Sequence, residues 1–88
     1  MKHLATRDFW ERYNQLPEHI RDLADKNFEL LKADREHPSL HFRKIGRLWS
    51  ARVGLRYRAL GLNKEEDNTV VWFWIGTHTE YDRLLQRK

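Results

Sequence analysis

Residues 69–75 read Thr-Val-Val-Trp-Phe-Trp-Ile, and no position from Val70 to Ile75 is polar. A strand with one wet face alternates apolar and polar side chains. A run that is apolar on both faces instead belongs to an interior strand covered on each side. The run is far shorter than the ~20 residues of a membrane span. Met1-Lys2-His3-Leu4 leads into charged residues and not into an apolar signal region. The expectation is a soluble, cytoplasmic protein with no membrane partner.

The segments around this strand follow two periods. Thr6 can cap a first short helix, with Asp8 in its first turn and Phe9, Tyr13 and Leu16 at helical spacing. Pro17 suits the first turn of a second helix, whose residues Ile20, Leu23, Ala24, Phe28 and Leu31 form one apolar stripe. Lys32 and Arg35 favour its C-terminal end, and Pro38 stops it. The period then changes to two. Leu40–Ile45, Leu48–Val53 and Tyr57–Leu62 read as strands, with Gly46 and Gly54 at their connections. Residues 63–68 form a polar hairpin loop before the interior strand, Gly76-Thr77 closes that strand, and Glu80–Gln86 can form a last helix. The expected fold is α+β, with two N-terminal helices packed on one face of a four-stranded, mostly antiparallel sheet and a short C-terminal helix. Within the interior strand Trp72 and Trp74 are expected on one face, and Val71, Phe73 and Ile75 on the other. In so small a domain both indoles belong to the core.

At 88 residues the chain is expected to form one domain spanning 1–88. Four Trp, four Phe and three Tyr supply the large side chains that a small core needs. There is no cysteine, which excludes disulfides and thiolate metal sites.

Charge is distributed unevenly. From His37 to Lys64 there is no Asp or Glu, and the seven bases there exceed the net +4 of the whole chain. Such a block is the footprint of a surface that meets phosphates or an acidic protein segment. On the strands, Arg52 and Arg58 can project guanidinium groups from a rigid sheet and grip phosphate oxygens bidentately. Arg56 is expected to share a face with Arg58. Arg43 and Lys44 fall on opposite faces of the first strand, so at most one of them joins the patch. Arg47 lies in the same basic block, and His41 alternates with Leu40 and Phe42 toward it.

His78 follows the interior strand beside a glycine turn. From there it can reach a ligand and exchange a proton near neutrality. Tyr81, three residues on, shares its side of a helical turn, where it can donate a hydrogen bond, stack on a base, or anchor the helix on the core. His3, His19 and His37 are weaker candidates. No histidine pair has metal-ligand spacing on one element with a carboxylate to complete it, so no metal or cofactor is expected. A glycine-rich phosphate loop and a nucleophile elbow are absent.

Two segments resemble the RelE/ParE superfamily of toxins from type II bacterial toxin–antitoxin systems. Trp49-Ser50-Ala51-Arg52-Val53-Gly54-Leu55-Arg56-Tyr57-Arg58 is similar to the family's R-V-G-x-Y-R hairpin, with one extra residue in the turn. Ile75-Gly76-Thr77-His78-Thr79-Glu80-Tyr81 is similar to the G-[ST]-H-x-[DE] ending of RelE-like toxins of the YafQ and HigB kind. It is also similar to the W-F-W-I-G-x-H-x-E-Y ending of a ParE-like subgroup.

The resemblance implies one of two activities. RelE-like members are ribosome-dependent, metal-independent mRNA endonucleases. They direct a 2′-hydroxyl onto the adjacent phosphate and leave a 2′,3′-cyclic phosphate. Carried over by position, His78 is the acid/base, Arg52 and Arg58 hold the phosphate, and Tyr81 orients the nucleotide. Arg43, Lys44, Arg47, Arg56 and His41 form the nucleic-acid-binding surface. ParE-like members instead inhibit DNA gyrase without catalysis, and a plain nucleic-acid-binding module is a third reading. Either kind of toxin implies a cognate antitoxin whose acidic segment lies over the basic face.

Overall fold

The computed structural model describes residues 1–86. Its centre is a five-stranded mixed sheet in the order β1-β5-β4-β3-β2. The strands are β1 (Lys2–Ala5), β2 (Arg43–Ile45), β3 (Leu48–Val53), β4 (Tyr57–Lys64) and β5 (Thr69–Thr77). The last four pair antiparallel, and β1 adds a parallel edge that runs from Lys2 opposite Thr69 to Ala5 opposite Trp72. The expected four strands are therefore five, and a strand precedes the two helices. β1 is too short for an alternation to be visible. Its strand geometry comes from the partner, as Lys2 N–H donates to Asn68 O and Thr6 N–H donates to Trp72 O.

The helices are α1 (Arg7–Asn14), α2 (Glu18–Ala33) and α3 (His78–Gln86). Thr6 caps α1 as expected, its hydroxyl accepting from Phe9 N–H at 3.2 Å. Pro17 stands one position earlier than expected, as the N-cap of α2. The strand expected over Leu40–Ile45 is only β2. Pro38–Leu40 forms a 3-10 turn, and His41 takes a left-handed conformation at φ 42°. That turn places Leu40 in the core at 1% exposure. Among the described residues, no helix is long and apolar enough to cross a membrane.

Side chains from β3, β4 and β5 pack against α1 and α2 through Ala51, Val53, Ala59, Val70, Trp72 and Ile75. A second cluster, Leu60, Trp74 and Tyr81, lies apart from it and is joined by Ile45, Leu48, Phe73 and Leu85. α3 thus packs on the sheet through a core of its own, and the helical cover is not confined to one layer. The pairing of β4 with β5 explains the division. Leu60 faces Trp74 and Gly61 faces Trp72, which leaves Phe73 as an extra residue at a bulge. A one-residue slip reverses the side-chain alternation. Trp72 and Trp74 therefore serve different clusters, which corrects the expectation that they share a face. Both are buried, at 6% and 5% exposure, and unavailable for stacking on a base. Truncating either to alanine would cost about 3–5 kcal/mol.

Gly61 makes the bulge compact. A Cβ there would collide with Val70 Cγ1 and lie 3.1 Å from the Trp72 ring. Gly61→Ala is expected to lose about 1–3 kcal/mol of stability. The readout is a lower urea midpoint at unchanged slope, and an unchanged midpoint would mean that the bulge relaxes freely.

Candidate functional site

Alternation along β3 and β4 divides their side chains between the two clusters. Trp49, Ala51, Val53, Tyr57 and Ala59 join the core under α1 and α2, while Leu48 and Leu60 join the cluster under α3. Ser50, Arg52 and Arg58 share the parity of Leu48 and Leu60 and so the same face. Arg43 stands opposite Ser50 in the β2–β3 register. With His41 and Tyr81 these residues line a recess of about 70 Å³. No Asp or Glu lines it.

The recess concentrates positive charge. Arg52 and Arg58 are direct cross-strand partners, an arrangement that like charges disfavour. Burial holds the Arg58 guanidinium below its ordinary pKa, and the Arg52 charge adds to this, while Tyr81 and Asp82 act in the opposite sense. Arg58 Nη1 donates to Tyr57 O at 2.9 Å, and its guanidinium carbon lies 6.0 Å from the centre of the Tyr81 ring. Arg52 Nη1 lies 3.3 Å from His41 Nε2. A guanidinium only donates, so in this contact the His41 nitrogen is the acceptor. Arg52 Nε is buried with no protein partner. An unpaired buried donor costs about 1–3 kcal/mol.

Tyr81 enters from α3. Its ring is buried, at 5% exposure, against Leu60 and Trp74, so its face is closed to a base. Its hydroxyl lies 2.8 Å from Ser50 Oγ, which is also buried. His78 is the first residue of α3, and its amide donates to Arg56 O at 2.6 Å. His78 Nδ1 is 3.1 Å from Asp82 Oδ2, and its ring centre is 6.5 Å from that of Tyr81. The imidazole is half-exposed and stands beside the recess without lining it.

Of the residues expected to carry function, Arg43, Arg52, Arg58, His41 and Tyr81 therefore come together. Lys44 does not, because it is engaged with Glu65 at 2.8 Å, a contact that lowers the pKa of Glu65. Arg47 sits between β2 and β3, where its carbonyl accepts from Asn63 N–H at 2.9 Å. Arg56 lies in the turn between β3 and β4 and not on a strand face beside Arg58, which corrects that expectation. Its carbonyl is committed to His78. Two residues were not foreseen. Ser50 was legible as the strand neighbour sharing the face of Arg52. Asp82 was legible as the carboxylate four positions after His78.

Neither a family model nor a curated protein matches this chain. Solved structures do match. One is a chain of the RelB–RelE antitoxin–toxin complex from Methanococcus jannaschii, with TM-score 0.69 and 20% identity over 91% of this chain and 96% of that one. Another is the YoeB/ParE toxin from Agrobacterium tumefaciens, with TM-score 0.67 and 13% identity over 89% and 99%. The isolated RelE toxin of E. coli gives TM-score 0.64 and 12% identity over 98% and 96%. The chain has the RelE/ParE-like toxin fold, the architecture implied by its two resembling segments.

The start of α3 is fixed by a capping box. Glu80 N–H donates to Thr77 Oγ1 at 3.2 Å, and Thr77 N–H donates back to Glu80 Oε1 at 3.1 Å. The Thr77 amide, and after it the Thr77 hydroxyl donating to Glu80 Oε1 at 3.0 Å, hold the Glu80 carboxyl below its ordinary pKa. A depressed carboxyl stabilises the fold fully above the ordinary glutamate value, about 4.3. Its contribution is lost as pH falls through the lower folded-state value. Glu80→Ala is expected to lower the urea midpoint at pH 7, with the gap to wild type narrowing below about pH 4. A gap independent of pH would refute the carboxylate's role.

Proposed function

We propose that this chain is the toxin of a toxin–antitoxin pair and that it cleaves mRNA on the ribosome by transesterification. The observation that carries this reading is the acid-free recess that Arg43, Arg52 and Arg58 line together. In the reaction the 2′-oxygen bonds to phosphorus and the bond to the 5′-oxygen breaks. The products are a 2′,3′-cyclic phosphate and a 5′-hydroxyl. One proton leaves the 2′-hydroxyl and one reaches the departing oxygen.

Arg52 and Arg58 hold the non-bridging oxygens and stabilise the crowded phosphorane, with Arg43 at the rim. His78 moves a proton at Nε2, because Asp82 engages Nδ1. Tyr81 acts through its hydroxyl and not through its ring. The basic strands from β2 to β4 also give an acidic antitoxin segment its docking surface. Complexes of RelE-fold toxins with their antitoxins support that partnership.

The test is mapping of mRNA 5′ ends during brief expression. Wild type is expected to produce new ends within coding sequence. His78→Ala, Arg52→Ala and Arg58→Ala should each reduce them by about a hundredfold or more while the fold is kept. Growth arrest with trapped gyrase–DNA complexes and no new ends would establish a gyrase inhibitor instead. Harmless expression, with nucleic-acid binding that falls steeply with salt, would leave a binding module.

A further inference from the structure

We propose that Ser50 is an anion-contacting residue, and that it forms with Tyr81 a two-hydroxyl relay presenting a single O–H to a phosphodiester in the recess. The assignment rests on reading the recess as a phosphate site. Ser50 is 3% exposed and Tyr81 5%, and their oxygens are 2.8 Å apart. Two hydroxyls carry two protons, and their mutual bond uses one.

The second proton needs an acceptor, and no side chain of the lining has one free. Arg43, Arg52 and Arg58 only donate, no carboxylate lines the recess, and His41 Nε2 already accepts from Arg52. An oxyanion in the recess supplies it.

The direction of the relay follows from placement. The Tyr81 ring is held by Leu60 and Trp74, whereas Ser50 stands opposite Arg43 and two residues before Arg52 on the same strand. Tyr81 O–H therefore donates to Ser50 Oγ, and Ser50 O–H donates to the ligand. On the measure by which one water needs about 10–15 Å³, a recess of about 70 Å³ has room for several waters. It has room for a phosphate group, whose charge its three arginines match.

The experiment is titration of the purified chain with dimethyl phosphate and with inorganic phosphate, followed by amide spectra. Wild type is expected to bind the diester. Ser50→Ala should lose about tenfold in affinity, as expected for a hydrogen bond to a charged group. Ser50→Cys, which keeps the shape but donates weakly, should lose nearly as much and covers the case in which the alanine variant does not fold. Tyr81→Phe should lose less, and the double variant should be no worse than Ser50→Ala alone, since the two hydroxyls act as one unit. Wild-type affinity in Ser50→Ala, additive losses, or binding of inorganic phosphate alone would overturn the relay. The titrations need no ribosome. Absence of mRNA cleavage with the Ser50 effect intact would sink the nuclease reading alone. Cleavage that persists while Ser50→Ala binds normally would sink the relay alone.

Discussion

The pairing of β5 with β4 governs the rest of the molecule. β5 is paired on both sides and carries large apolar side chains on both faces, so its register decides which layer each one serves. With regular pairing, Trp72 and Trp74 would enter the same layer. The extra residue at Phe73 separates them, giving Trp72 to the core under α1 and α2 and Trp74 to the cluster under α3. Trp74 and Leu60 then seat the ring of Tyr81, and the seated ring brings its hydroxyl to Ser50. The floor of the recess thus depends on one strand irregularity several residues away in the chain.

Electrostatically the recess runs against the stability of the fold. Arg52 and Arg58 are direct cross-strand partners, and what offsets their repulsion is modest: a carbonyl, an imidazole nitrogen and the face of a phenol. The carboxylates Glu65, Glu80 and Asp82 are committed elsewhere, to Lys44, to the Thr77 cap and to His78. The left-handed His41 adds backbone strain at the same place. Unneutralised charge, an unpaired donor and strain thus lie close together in a small fold.

The sequence pattern carried much of this architecture. The change of period after Pro38, the Thr6 cap and the alternation over Leu48–Val53 all have local causes, and they appear in the structure as expected. The departures arise where a distant partner or a local turn decides. β1 exists because β5 offers a free edge. The strand expected from Leu40 is cut short by the Pro38 turn. The separation of Trp72 from Trp74 is a property of pairing that no alternation within one segment can reveal. At the site, Arg52, Arg58 and Tyr81 were legible from face and spacing. Alternation puts Ser50 on the face of Arg52, but its partner is decided by the phenol that α3 brings to it.

At 12–20% identity, the likeness to RelE and YoeB/ParE toxins establishes backbone and not chemistry. The chemistry of this chain lies in the few side chains that its open sheet face presents. Under the nuclease reading, their arrangement has a mechanistic consequence. The phosphate cradle is built on strands, with His41 in its lining beside Arg52, whereas His78 stands outside it on α3 beside Tyr81. In-line displacement requires proton transfer at two oxygens that lie on opposite sides of phosphorus. No single group inside the cradle could serve both. His78, on a flanking element beside a rigid cationic floor, is spared the three like charges that the charged form of a histidine among the arginines would meet.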